Sequence, residues 1–170
     1  MAGDVRFSWE LSGSGWATYR IADGTSERED VVSYCTDALL DVLSAFAGLY
    51  GEGGDQRVSF DLEPAEVRWR LRRRGSDVEI DIYRFPDFHE SWNAPDDDGT
   101  RCWNSTQPRG VLSHAVMEAA EKVLRLHGEV GYRKKWVQHD FPTAALEDLR
   151  QLHQRNDDCH AEQGRVHPDA

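Results

Sequence analysis

This chain of 170 residues has little of what usually announces a function. It holds three cysteines, Cys35, Cys102 and Cys159, an odd and scattered count that excludes a disulfide framework. No apolar run approaches the ~18 residues of a membrane span. No nucleotide loop and no catalytic motif occurs, and no Cys/His pairing has the spacing of a zinc site, so no cofactor or metal is expected. Positive charge is also scarce. Lys and Arg number 20 against 31 Asp and Glu, a formal net charge of -11. Free nucleic acid is therefore a poor partner, and a basic protein surface is the better match. The chain enters a strand at about Val5, which leaves no room for a signal peptide and places the protein in the cytoplasm. No internal repeat is present.

What is there reads first as fold. The length suits one domain with a real core and is short for two. The block Val58 to Ile82 alternates with period two. Val58, Phe60 and Leu62 oppose Ser59, Asp61 and Glu63; Val67, Trp69 and Leu71 oppose Arg68, Arg70 and Arg72; Val78, Ile80 and Ile82 oppose Glu79, Asp81 and Tyr83. Such alternation marks half-buried strands of an antiparallel sheet. Turns at Glu63-Pro64-Ala65-Glu66 and around Gly75 suggest a register. The first hairpin would set Leu62 opposite Val67, Phe60 opposite Trp69 and Asp61 opposite Arg68. The second would set Trp69 opposite Ile80, Arg68 opposite Asp81, Arg70 opposite Glu79 and Arg72 opposite Asp77. Apolar then meets apolar and Arg meets carboxylate.

Outside this block, Val5 to Leu11 and Trp16 to Ile21 form two more strands around Ser12-Gly13-Ser14-Gly15. Ser26 and Glu29 have capping-box spacing. Val31, Cys35, Ala38, Val42, Phe46 and Leu49 follow a helical stripe that puts Cys35 in the core. Pro86 to Gly99 reads as a polar, acidic loop, and Thr100 to Asn104 as a short return strand. Thr106 caps a second helix with the stripe Leu112, Val116, Ala119, Val123 and Leu126, ended by Gly128. Tyr132 to Val137 is a short helical segment or ordered loop. A third helix follows Phe141-Pro142-Thr143. From Arg155 onward no periodicity remains. The expected architecture is α+β: a two-layer sandwich in the order ββ-α-βββ(β)-α-α. One antiparallel sheet of five or six strands carries helices on one face, with residues 1–154 as a single domain and 155–170 as a disordered tail.

Three segments resemble a group of small actinobacterial proteins. They are Ser8-Trp9-Glu10-Leu11 through Gly15-Trp16-Ala17; Glu63-Pro64 through Val67-Arg68-Trp69; and Gly128-Glu129-Val130-Gly131-Tyr132-Arg133 through Trp136, with Phe141-Pro142 beyond. The resemblance spans most of residues 5–152 and implies no activity. Some small acidic α+β proteins of this size act as immunity proteins that neutralise a toxin, an analogy at the level of size and charge.

Candidate sites follow from the residues left over. In the loop after Phe85, Trp92, Asp96, Asp97, Asp98 and the following Trp103 suit recognition of a basic protein, because long loops carry function and Trp anchors interfaces. The Asp run is not a calcium loop, since Ala94 stands where the first ligand belongs. In the arginine strand, Arg68, Arg70 and Arg72 have carboxylates opposite them. Arg73 and Arg74 do not, which makes them candidate contacts for an anion or RNA, with Lys134. A ligand-binding or enzymatic site on the exposed sheet face would need some of Arg68, Arg70 and Tyr83 covered and lining a pocket. A metal on Asp61, Glu79 and Asp81, and a Cys102 nucleophile with His89 or His114, are weaker readings. His153, Cys159, His160 and His167 are too loosely spaced for zinc. Tyr132 and Trp136 are expected to pack inward while Arg133 to Lys135 face water. The sequence thus favours a non-enzymatic, acidic protein-binding module.

Overall fold

The computed structural model describes residues 4–157. Seven strands and four helices follow in order. They are β1 (Arg6–Leu11), β2 (Trp16–Ala22), β3 (Glu27–Ser33), α1 (Ala38–Gly48), β4 (Gln56–Asp61), β5 (Glu66–Arg74) and β6 (Asp77–Phe85). Then come α2 (Phe88–Ser91), a 3₁₀ turn at Asp96–Asp98, β7 (Thr100–Pro108), α3 (Arg109–Trp136) and α4 (Thr143–Asn156). The class is α+β and both sheets are antiparallel. There are two sheets rather than one, ordered β1-β2-β3 and β4-β5-β6-β7.

The expected single sheet fails because β3 is not a helix. Residues 27–33 pair with β2, Ala22 opposite Glu27 and Ala17 opposite Val32. The Asp23 carboxylate accepts from the N–H groups of Thr25 and Ser26 (2.8 and 2.9 Å) and locks the hairpin turn. Ser26 therefore closes a hairpin instead of capping a helix, and α1 begins only at Ala38. Cys35 lies in the connection and is exposed rather than core, with its thiol donating to Glu63 (2.8 Å). β7 is longer than the expected short strand and carries Thr106 inside it, so Pro108 precedes α3. Gly128 does interrupt α3, with φ 66° and ψ 174°.

The two sheets meet through aromatic side chains. Tyr19 of β2 stands edge-on to Trp69 of β5 (centroids 5.0 Å apart) and packs on Phe60 of β4 (5.5 Å). Phe7 and Trp9 of β1 extend the cluster. Such tilted and edge-on pairs contribute roughly 0.5–1.5 kcal/mol each beyond area burial. α1, α3 and α4 close the same core, with Phe46, Leu112, Val116, Tyr132, Trp136 and Leu149 all buried. Tyr132 and Trp136 lie inward as expected, and Arg133 to Lys135 are exposed. A polar network sits inside this core. The Trp69 indole donates to the Tyr19 hydroxyl (3.2 Å), which donates to Asp30, and Arg28 grips Asp30 with two bonds (2.9 and 2.6 Å). Burial and the adjacent Asp30 charge push the Tyr19 hydroxyl well above its ordinary pKa, so it stays a donor.

In the second sheet the faces are as expected but the register is shifted by two. Trp69 faces Val58 and Ile82, Arg70 faces Asp81, and Arg72 faces Glu79. The first turn opens at Leu62, whose N–H donates to the Ala65 carbonyl (2.8 Å), one residue earlier than expected. The second is a two-residue turn at Gly75-Ser76, made by Gly75 at φ 64°, so Arg73 and Arg74 stay in the strand. At the far end, α4 runs past the expected boundary at 154. Asp157 is gripped by Arg109 (3.0 Å twice) and by the Tyr50 hydroxyl (2.5 Å). Among the described residues no helix is long and apolar enough to cross a membrane.

A candidate protein-binding cleft

At Arg68 the arginine face of the second sheet is covered by its own acidic loop, while Arg70 and Arg72 are half-buried and Arg74 is exposed. Phe88 N–H donates to the Pro64 carbonyl (2.7 Å), and Asp87 caps α2 through the N–H groups of His89 and Glu90 (2.8 and 3.1 Å). The segment then crosses above Arg68. That guanidinium is 0% exposed. It donates to Glu66 (2.9 and 3.0 Å), to the carbonyls of Ser91 and Ala94 (2.8 Å each) and to Asp96 (3.0 Å). It also lies over the Phe85 ring at 4.2 Å. Glu66 is buried beside it and accepts from the Ser91 hydroxyl (2.6 Å). The pairing expected across the sheet, Arg68 with Asp81, is replaced by this local cage. A buried charge pair of this kind is tolerated because each donor is matched.

The candidate residues from the sequence therefore divide. Asp96 is a tie, bound to Arg68 and to Arg70 (3.1 Å), and is not free for a partner. Trp103 is buried on β7 opposite Ile82 and presents no contact surface. Arg73 and Arg74 are not unpaired. Arg73 donates to the carbonyls of Leu49, Gly51 and Gly75 (3.3–3.4 Å) and lies against Gly54, so it braces the α1–β4 connection. Arg74 faces Glu79 at 3.6 Å. Both sit at the β5–β6 turn, the opposite end of the sheet from the 87–99 segment, so the sequence-predicted residues do not form one site. Asp97 and Asp98 are exposed. Trp92 is 55% exposed.

Arg68 is covered, but by loop carbonyls and Asp96; Tyr83 is buried on β6, and Arg70 is half-buried against Asp96. Asp61 accepts from the Glu63 N–H (2.8 Å), and Asp81 holds Arg72 (2.7 Å) and Arg101 (3.4 Å). Among the described residues no three His, Cys, Asp or Glu side chains are grouped to hold a metal. The Cys102 thiol is pushed up by burial and donates to the Ile82 carbonyl (3.4 Å). His153 is buried against Tyr50, while Cys159, His160 and His167 lie outside the described residues.

What the sequence did not show is a cleft of about 520 Å³ beside Trp92. Its floor is Gln56, Arg57, Val58 and Ser59 of β4. One wall is Thr36 with Asp41, Ser44 and Ala45 of α1, and the other is Trp92 and Asn93. Trp92 is held at the rim: its carbonyl accepts from Arg57 (3.0 Å) and its ring rests on Phe88 (5.4 Å). Asp41 stays exposed to solvent on its outer side, but loss of water around its carboxyl in the cleft pushes its pKa up to about 6, with the neighbouring Asp37 adding to the shift and His139 opposing it. In the sequence Asp41 is an ordinary polar residue beside a helical stripe. Only the packing of α1 against an edge strand brings it to this cleft.

No family model and no curated protein matches the chain. Among solved structures, a chain of the CdiA-CT/CdiI toxin and immunity complex from Enterobacter cloacae is similar at a TM-score of 0.39 and 11% identity. The match covers 68% of this chain and 99% of that one, a likeness too shallow to argue from.

Proposed function

We propose that this protein is a non-enzymatic, acidic protein-binding module whose contact face is the rim and cleft at Trp92. The observation that carries this is Trp92 itself. Among the described residues it is the large aromatic left exposed, and it is fixed in place by a backbone hydrogen bond and a ring contact rather than left to swing. A rigid exposed indole supplies contact area with little ordering cost on binding. Exposed Asp97 and Asp98 lie beyond it in the chain, and the net charge of -11 favours a basic partner. Neutralisation of a basic toxin, an immunity-like role, is the finer form of this reading; its support is the acidic charge.

The test is native affinity capture from the source cell with the full chain as bait, followed by reconstitution with the purified partner. Trp92→Ala is expected to weaken the reconstituted complex roughly thirtyfold, the scale of a hot-spot aromatic. A partner held equally well by Trp92→Ala and by an Asp97→Asn, Asp98→Asn double variant removes this face from the reading.

A further inference from the structure

β4 is an edge strand: its sheet order is β4-β5-β6-β7, and β5 is its one hydrogen-bonded neighbour. Among the described residues no backbone hydrogen bond joins Gln56–Asp61 to any other element. An edge strand presents a row of N–H and C=O groups on its open side. Successive side chains of a strand point to opposite faces. A cleft touching four consecutive residues, Gln56 to Ser59, therefore runs along the edge rather than over one face. Four residues span about 13 Å of strand, room for one extended segment.

We propose that this edge accepts an extended segment of a basic protein as an added strand, with a Lys or Arg side chain reaching Asp41 and an apolar side chain on the other face lying against Trp92. The proposal rests on the protein-binding reading above and names the chemistry of its partner. The walls set the alternation. Residues of the incoming strand on one face meet Asp41, Ser44 and Ala45; those on the other meet Trp92 and Asn93. Main-chain bonds along β4 would give affinity and the two walls would give specificity. Arg57 does not neutralise Asp41. It lies on the other face of β4, held by the Trp92 carbonyl at 3.0 Å and near Glu66 at 4.0 Å. Charge also selects the occupant. A second copy brings another formal charge of -11 to the same edge, whereas a basic segment is drawn to it.

The test uses the full chain and a fluorescein-labelled ten-residue peptide alternating lysine and valine, read by fluorescence anisotropy. Two further peptides carry N-methyl groups on alternate residues, one set along each edge, because a basic peptide can also adhere to an acidic protein without pairing. Expected are saturable binding, a loss of at least about tenfold with one methylated edge, and tolerance of the other. Asp41→Asn should weaken binding roughly threefold to fivefold. Hydrogen exchange should slow at backbone amides of residues 56–61. No saturable binding up to about 1 mM, or equal binding of all three peptides, overturns the proposal. So does a concentration-dependent dimer that protects β4, or protection already present in the full chain and lost when residues 158–170 are removed. A captured partner that binds through Trp92 but leaves β4 exchange unchanged sinks strand addition and leaves the protein-binding reading standing. Failure to capture any partner sinks that reading instead.

Discussion

The segment from Asp87 to Gly99 has two sides, and they are built on opposite rules. Its inner side supplies Ser91 O, Ala94 O and Asp96 to Arg68, and every charged group there is answered within 3.0 Å. Its outer side leaves Trp92, Asp97 and Asp98 in solvent, next to a cleft with an incompletely compensated carboxyl at Asp41. Internally satisfied charge holds a fold together and offers nothing to a partner. Unsatisfied polar and apolar groups do the reverse. The two sides should therefore respond differently to mutation: the inner side through stability, the outer side through binding.

Breaking the inner side gives the largest effect. Arg68→Ala leaves the buried Glu66 without its close charge partner, with only Arg57 at 4.0 Å, and opens the space over Phe85. We expect a loss of about 3–5 kcal/mol in urea unfolding at neutral pH, enough to threaten folding of the chain. Adding Glu66→Gln to Arg68→Met should recover much of that loss, because no buried charge is then left alone. If Arg68→Ala unfolds within 0.5 kcal/mol of wild type, the cage does not hold the segment down. Next in size is Asp96→Ala, which removes acceptors from both Arg68 and Arg70 but leaves Glu66 in place. It should cost about 1–3 kcal/mol and increase protease cutting between residues 87 and 99.

How much of this division was legible from residues alone depends on which groups satisfied one another. Strands β1, β2 and β4 to β6 announced themselves because one face is apolar. β3 did not, because Arg28 and Asp30 stand beside Val32 at its inward positions and pass for solvent-facing charge until Tyr19 is seen to donate to Asp30 and Arg28 to pair with it. The Ser26–Glu29 spacing then suggested a helix in their place. Register was legible only modulo two. A slip of one residue turns every side chain over, but a slip of two keeps apolar on apolar and Arg beside acid, so charge matching could not separate Arg70–Glu79 from the observed Arg70–Asp81. In the candidate site, Trp92 and the exposed Asp97 and Asp98 were visible as a loop with aromatic and acidic character. Trp103, Arg73 and Arg74 were misplaced because their partners, the sheet interior and the carbonyls after α1, are distant in sequence. The cleft was invisible, since its walls come from α1, β4 and the residues just after α2.

Asp41 sharpens the comparison from the outer side. Its carboxyl titrates near 6 in the folded chain against an ordinary 3.8. The folded protein therefore binds the proton more tightly than the unfolded chain, and stability rises as pH falls from about 6 toward 4. Above pH 6 the ionised group is a net cost to folding. Asp41→Asn should raise stability by roughly 1 kcal/mol at pH 7.5, allowing for the solvent around a partly open carboxylate, and this gain should shrink to nothing near pH 4. Paired thermal melts of the two proteins across that range measure it. A gain that grows on acidification contradicts the cleft geometry.

The smallest expected change in stability belongs to Trp92. Its ring is more than half in water and touches Phe88, so Trp92→Ala removes little buried area. The bond between Arg57 and residue 92 uses the backbone carbonyl and survives the substitution. The variant should unfold within about 0.5 kcal/mol of wild type. Asp96→Ala is the matched control a few residues away, costly to fold. If Trp92→Ala instead proved as destabilising as Asp96→Ala, the indole would be part of the fold's own packing. The exposed rim would then not be a surface held ready for another protein.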